Sequence, residues 1–135
     1  MFQLIIIFSL NRKQPKTRSK SILKDKSFDF AFSGVNLYKH LVSKKEFVLS
    51  KQLLRSSTSV GANIRESRNA QSTKDFIHKL SISQKECDES IYWLELLKET
   101  NYINDPVFSL MKNNATEILL MLKSSIITAK NNMNK

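Results

Sequence analysis

The most constraining feature of the chain is a helical repeat of large apolar residues between Leu49 and Leu97. The repeat spacings are three, four or seven residues, which place each set of apolar side chains on one face of an α-helix. A short polar joint at residues 69–73 separates the two sets. Their members are Leu49, Leu53, Val60 and Ile64, then Phe76, Leu80, Cys87, Ile91, Leu94 and Leu97. The pattern predicts two long amphipathic helices that pack against each other.

The scarcity of turn-forming residues extends this prediction to the whole chain. Only two Gly and two Pro occur in 135 residues. An all-β or α/β fold of this size would need many tight turns, which those residues usually supply. The length is enough for one domain with one core, and the hydrophobic fraction of 41% is typical of globular proteins. We therefore expect a single domain of long helices with few connections.

The first two helices are predicted over residues 27–43 and about 47–67, with Ser27 or Asp25 as the first N-cap. Gly34 interrupts the first helix and costs about 1 kcal/mol relative to Ala, unless it allows close helix contact or is simply tolerated. The broad apolar side of this helix includes Phe28 and Phe32. The second helix carries a run of small residues, which allow a neighbouring helix to approach closely: Ser56, Ser57, Thr58, Ser59, Gly61 and Ala62.

The last two helices have recognisable start signals. Ser72 followed by Asp75 is a capping pattern for a third helix that ends near Thr100. Asp105 and Pro106 are interpreted as the N-cap and first helical position of a fourth helix that frays at residues 131–135. Four helices with short joints predict an all-α, antiparallel up-down-up-down four-helix bundle over residues 27–135.

The N-terminal part, residues 1–26, is predicted to be a poorly ordered basic extension. Its apolar run, residues 1–10, is too short to span a bilayer as a helix. Basic residues follow this run instead of preceding it, unlike in a signal peptide. The extension could reflect a start codon assigned too early, and a weak membrane-surface anchor is the functional alternative. We expect no membrane partner.

The net charge of the chain suggests a nucleic-acid partner, but the distribution of this charge weakens that interpretation. The formal net charge is +10, of which residues 1–26 contribute +6. Residues 39–85 hold ten basic and three acidic residues, whereas residues 86–135 hold five basic and seven acidic ones. Such polarity suits phosphate contacts without base readout, or head-to-tail association of identical subunits; a solvated surface is the alternative. The candidate phosphate-binding residues are Lys39, Lys44, Lys45, Lys51, Arg55, Arg65, Arg68, Lys74 and Lys79. Few aromatic residues lie among them, so base stacking is not indicated.

No pattern in the chain indicates catalysis. Di-iron bundles need two Glu-x-x-His motifs, whereas Asp75 and His78 supply that spacing once and His40 has no acidic partner at the required position. No Ser lies in a nucleophile-elbow turn, and no Gly-rich loop resembles a phosphate cradle. The single Cys87 lies in the core pattern, which excludes an intrachain disulfide and favours a reducing cytoplasm. We expect no enzyme activity, no metal and no cofactor.

Polar residues near the core stripes of the second and third helices form a second group of candidates. Arginine forks and carboxylates can cross-link antiparallel helices or subunits through partly buried pairs; solvated charges are the alternative. Tyr92 and Trp93 form an aromatic pair off the main stripe, which fits an oligomer contact. The polar candidates are Arg55, Asn63, Glu66, Arg68, Glu86 and Glu89.

Three motifs in order and register carry a family resemblance. They are Q-L-x-R at residues 52–55, S-V-x-x-N-I at residues 59–64 and S-x-x-E at residues 83–86. In these motifs the chain resembles the bacterial four helix bundle protein family, named for a protein encoded in intervening sequences of large-subunit ribosomal RNA. Many members read N-I-A-E-G where residues 63–67 read N-I-R-E-S. Accessory proteins of diversity-generating retroelements are similar in architecture.

The resemblance implies an antiparallel bundle that assembles into ring-like homopentamers and does not imply an enzyme. In the retroelement proteins, a basic pentameric surface serves nucleic acid. We therefore predict a cytoplasmic, non-enzymatic homo-oligomer, a pentamer, that acts as a nucleic-acid-associated or interaction protein, and RNA or DNA binding is the leading hypothesis. The alternative is a pure scaffold that binds only itself or a protein partner.

Overall fold

The computed structural model describes residues 21–135, which form four α-helices and no strand. The helices are α1 (Ile22–Ser43), α2 (Leu49–Ser67), α3 (Thr73–Glu99) and α4 (Asp105–Met133). Each helix packs on two others, in the pairs α1–α2, α2–α3, α3–α4 and α1–α4. Short joints make successive helices antiparallel. The predicted all-α four-helix bundle is confirmed.

All four helices contribute to one core. Leu37, Leu53, Leu94 and Leu122 represent the four helices and are each fully buried. The predicted core position of Cys87 is confirmed, and its Sγ donates to the Ala115 carbonyl at 3.3 Å. Burial raises the pKa of the Cys87 thiol to about 12, with a further contribution from the charge of Asp88. The thiol is therefore protonated at neutral pH and acts as a small apolar side chain.

The first helix begins earlier than predicted. Ser21 is its N-cap and accepts a hydrogen bond from the Lys24 backbone N–H at 3.2 Å, so neither Ser27 nor Asp25 caps the helix. The predicted boundary after residue 26 therefore falls inside α1. Residues 1–20 of the predicted extension lie outside the described part of the chain.

The buried face of α1 also differs from the predicted one. Phe30 is fully buried, whereas Phe28 and Phe32 are 47% and 37% exposed. The predicted apolar side also held Leu37, which is fully buried, but it left out Phe30 and the small residue Gly34 of the buried face. The prediction of this face was therefore right in part.

Helix ends elsewhere follow local capping chemistry. The predicted cap of α3 is confirmed, since Ser72 Oγ accepts from the Asp75 N–H at 3.1 Å. The α4 prediction was wrong by one residue, because Asn104 is the N-cap and Pro106 is the second helical residue. That helix continues to Met133 instead of fraying from residue 131. The second helix begins at residue 49, two residues later than predicted.

Small residues bring α1 and α2 into close contact, as the run in the second helix predicted. A Cβ atom added at Gly34 would collide with the Ser57 side chain. A Cβ added at Gly61 would lie 3.3 Å from the Ser27 carbonyl oxygen. Gly34 is therefore required for close packing, which accounts for a glycine inside a helix.

Candidate functional site

Six of the predicted phosphate-binding residues fall into two groups at opposite ends of α2. Lys44, Lys45 and Lys51 lie at the α1–α2 loop and the start of α2; we call them the first basic cluster. Arg65, Arg68 and Lys74 lie at the end of α2 and the start of α3; we call them the second basic cluster. All six side chains are exposed. The helix rise places Lys51 and Arg65 about 21 Å apart along α2.

Two other predicted phosphate-binding residues form ion pairs with glutamates of the same chain. Arg55, in the middle of α2, forms ion pairs with Glu86 and Glu89 of α3. Lys79 Nζ lies 3.7 Å from Glu66 Oε2. Their positive charges are partly neutralised, so the two clusters do not join into one continuous basic stripe along α2.

The Arg55 guanidinium is the centre of a polar network between α2 and α3. Its Nη1 donates to Glu86 Oε2 at 3.1 Å, and its Nη2 donates to Glu89 Oε2. The same Glu89 oxygen accepts from Trp93 Nε1 at 3.2 Å. Trp93 packs edge-on against Tyr92, with ring centroids 5.1 Å apart. Glu86 is 21% exposed and Arg55 is 48% exposed, so the network lies at the edge of the helix contact.

Buried hydroxyl groups lie beneath this network. Ser90 Oγ of α3 donates to Ser56 Oγ of α2 at 2.8 Å, and Ser83 Oγ donates to the Val60 carbonyl at 2.8 Å. All three serines are fully buried. The hydroxyls satisfy each other or the neighbouring backbone, which allows polar groups in the core at low cost.

The remaining polar candidates do not join the network. Asn63 Nδ2 donates to the Ser59 carbonyl within α2. Glu66 pairs with Lys79, and Arg68 is the exposed C-cap of α2. Of the six predicted structural residues, the structure therefore brings together Arg55, Glu86 and Glu89.

A surface groove of about 400 Å³ runs along the contact of α1 with α2, beside the second basic cluster. Ala31, Gly61 and Ala62 contribute small apolar surfaces to its lining, and Lys24 and Arg65 contribute positive charge.

The comparisons with known proteins agree on one family. Residues 19–124 match the family model described as 23S rRNA-intervening sequence protein. The chain belongs to this family. A crystal structure from Bacteroides thetaiotaomicron, described as a protein of unknown function from the S23 ribosomal protein family, is 56% identical with a TM-score of 0.77. The similarity covers 78% of this chain and 98% of that one. No curated protein matches.

Both basic clusters and the Arg55 network lie within the region that matches the intervening sequence protein family. The descriptions of the family and of the B. thetaiotaomicron protein name no ligand and no reaction. The role of this family member must therefore be argued from its own side chains.

The residue that orders the first basic cluster is Glu46, which is not among the predicted site residues. Glu46 is 7% exposed, and its carboxylate accepts hydrogen bonds from the backbone N–H groups of Val48, Leu49 and Ser50 at 3.1, 2.9 and 2.6 Å. Burial raises the pKa of Glu46, but these hydrogen bonds and one from the Ser50 side chain lower it further, to below its ordinary value. Glu46 thus caps α2 from outside the helix, where Val48 offers no side-chain cap. The signal available in the sequence was a carboxylate just before a helix start.

The histidines of this family member are too far apart for a shared metal. His40 lies near the end of α1 and His78 near the start of α3, at opposite ends of the antiparallel bundle. Burial lowers the pKa of His40, and the charge of Lys44 lowers it further. Within residues 21–135, His, Cys, Asp and Glu form no group of three or more that could hold a metal ion. In the same residues, no helix has the length and apolar character needed to cross a membrane.

Proposed function

We propose that this intervening sequence protein is a cytoplasmic, non-enzymatic homo-oligomer that binds RNA or DNA through phosphate contacts. The observation that carries this proposal is the state of five cations in the basic clusters. Lys45, Lys51, Arg65, Arg68 and Lys74 are exposed, and none forms an ion pair with another residue of the described chain. Free exposed cations are what phosphate binding requires, because each contact releases a counterion from the nucleic acid.

The separation of the clusters supports contacts to an extended polyanion. A gap of about 21 Å along α2 is longer than any small anion could bridge. Assembly would multiply the clusters around a ring and raise the avidity for a long strand. The homopentamer implied by the family resemblance is the assembly we propose.

A gel-shift titration over a series of salt concentrations tests the nucleic-acid proposal. We expect binding whose logarithmic affinity falls linearly with the logarithm of the salt concentration. Replacing Arg65 by Ala should reduce the magnitude of this slope by about 1, and replacing Lys74 by Ala should do the same. Lys123→Ala is the matched control, since Lys123 is an exposed cation on α4, outside both clusters. No binding at low salt would eliminate the proposal.

A pure scaffold is the second candidate. It is favoured by the groove between α1 and α2 and by exposed apolar side chains on the opposite side of the bundle. Tyr92 on α3 and Leu120 and Ile127 on α4 are 55%, 64% and 59% exposed. Exposed apolar surface of this kind often marks a contact with another subunit. Sedimentation should show a pentamer of the 15.6 kDa chain, whereas a monomer would exclude the ring and any scaffold formed by self-association.

A further inference from the structure

The α1–α2 loop exposes two apolar side chains among lysines. Phe47 is 57% exposed and Val48 is 71% exposed. Lys44 and Lys45 precede them, and Lys51 follows in the first turn of α2. We call these five residues the loop patch. An exposed ring beside several cations suits a ligand that has both flat apolar faces and negative charges.

The backbone of the loop patch is firmly held. Lys45 has a φ of 66°, a left-handed conformation uncommon outside glycine. Its N–H donates to the Val42 carbonyl at 2.9 Å, and the Glu46 N–H donates to the Leu41 carbonyl at 2.9 Å. The buried Glu46 carboxylate then holds the N–H group of Val48. Because the backbone of the loop is ordered in this way, binding at Phe47 costs little additional backbone entropy.

The charge around Phe47 is positive on its exposed side. The carboxylate adjacent to it in the chain, that of Glu46, is buried and engaged with backbone N–H groups. The α3–α4 loop at the same end of the bundle is a useful contrast. Its exposed aromatic residue, Tyr102, is 41% exposed and lies in the chain between the exposed Glu99 and Asp105, and the nearby Lys98 pairs with Asp105. Charge complementarity therefore favours an anionic occupant at the loop patch and not at Tyr102.

We propose that the loop patch binds single-stranded nucleic acid, with one base stacked on Phe47 and the flanking phosphates held by the lysines. The proposal rests on the nucleic-acid function above and narrows it to strands with unpaired bases, because a duplex keeps the faces of its bases stacked on each other. The sequence did not indicate base stacking, because few aromatic residues lie among the basic ones. The structure nevertheless exposes Phe47 beside three of the predicted phosphate-binding lysines.

The test compares a labelled strand of about 12 nucleotides with a duplex of the same length, by fluorescence anisotropy, in RNA and DNA forms. The variant is Phe47→Leu, which keeps an apolar side chain and removes the flat ring. We expect the affinity for the strand to fall about 5- to 150-fold, the value of one base stacked on an aromatic ring, and the affinity for the duplex to change little. The salt slope should stay unchanged with Phe47→Leu and fall by about 1 with Lys51→Ala.

Tyr102→Leu is the matched control and should leave strand affinity unchanged, since Tyr102 lacks the neighbouring lysines of the loop patch. Thermal melts verify that each variant remains folded. An unchanged strand affinity in Phe47→Leu, or an equal loss for strand and duplex, overturns the stacking proposal while the general nucleic-acid function stands. Displacement of the strand by poly-glutamate as readily as by unlabelled strand also overturns it, because the patch would then accept acidic polypeptides. Failure of the unaltered protein to bind strand or duplex removes both proposals.

Discussion

The contacts that α2 makes with α1 and α3 differ in kind from those made by α4. Glycine and serine contribute to the α2 contacts beside buried aliphatic residues, since Gly34 faces Ser57 and Ser56 meets Ser90. Large aliphatic residues fill the buried face of α4, such as Ile118 and Leu122. The first region depends on close approach and on paired hydroxyls, whereas the second depends on apolar burial.

The difference indicates how each region fails. A contact made of small residues has no room for added atoms, whereas a contact made of large residues leaves a cavity when atoms are removed. Since the candidate site spans α2 and α3, its geometry depends on the first kind of packing.

The largest expected effect is the loss of a large side chain from α4. Leu122→Ala should lower the free energy of unfolding by about 2–5 kcal/mol, because the fully buried leucine is replaced by a cavity. Ser90→Ala, at the contrasting contact, should cost less than about 1 kcal/mol, since Ser56 Oγ can still donate to the Leu53 carbonyl. Urea denaturation measures both. Equal losses would show that the two regions do not differ as described.

Adding atoms, by contrast, should be costly at the contact of small residues between α1 and α2. Gly34→Ala should destabilise the protein by about 1–3 kcal/mol, because the new Cβ meets the fixed Cβ of Ser57 as well as its hydroxyl. Adding Ser57→Gly should recover part of the loss, which a double-mutant cycle detects. Gly61→Ala is the control and should be nearly neutral, since its 3.3 Å approach to the Ser27 carbonyl is milder and alanine favours a helix. A stable Gly34→Ala protein without rescue would contradict close packing at this point.

The caps of α2 and α4 should respond differently to acid. Glu46→Ala should cost about 1–2 kcal/mol at neutral pH, the usual value of a lost N-cap. Because the folded pKa of Glu46 lies below its ordinary value of 4.5, its stabilisation is complete above that value and is lost as the pH falls through the folded pKa. The Glu46→Ala variant should therefore lose less stability than the unaltered protein between neutral pH and pH values below 4.5.

Asn104→Ala is the matched control for the acid experiment. The Asn104 side chain caps α4 through the Val107 N–H at 3.1 Å and carries no charge. Its removal should lower stability by a similar amount and leave the acid dependence unchanged. Thermal melts over a pH series measure both variants. Parallel pH profiles for the Glu46→Ala and unaltered proteins would show that Glu46 is not the acid-sensitive group.

Apolar periodicity predicted most of the fold, because each of the two sets of large apolar residues between residues 49 and 97 stays on one face of its helix. Part of the α1 face was mispredicted, because Gly34 is a buried residue by virtue of its small size. A pattern that scores hydrophobicity cannot recognise such a residue, since its partner Ser57 lies on another helix.

The candidate site was less predictable than the fold. The sequence identified the basic residues but not which of them would be neutralised, because the pairing of Arg55 with Glu86 depends on the α2–α3 register. Glu46 falls between the first two predicted helices. The sequence pattern does not show that its carboxylate accepts hydrogen bonds from the first N–H groups of α2. The exposure of Phe47 likewise follows from loop geometry, which neighbouring sequence does not fix.

The smallest expected effect concerns the charged link between α2 and α3. Arg55→Ala should cost about 0–1 kcal/mol in the free energy of unfolding, because the guanidinium is half exposed and water screens its pairing with the two carboxylates. The loss should shrink further at high salt, where such pairs are screened. Lys98→Ala is the control, because Lys98 of α3 pairs with Asp105 of α4. This variant should lower the free energy of unfolding by a similarly small amount. A loss above about 3 kcal/mol in the free energy of unfolding would instead match a buried pair.

If that loss also grew on dilution, Arg55 would lie in the contact between subunits. A partner subunit would there exclude the water that reaches Arg55 in the single chain.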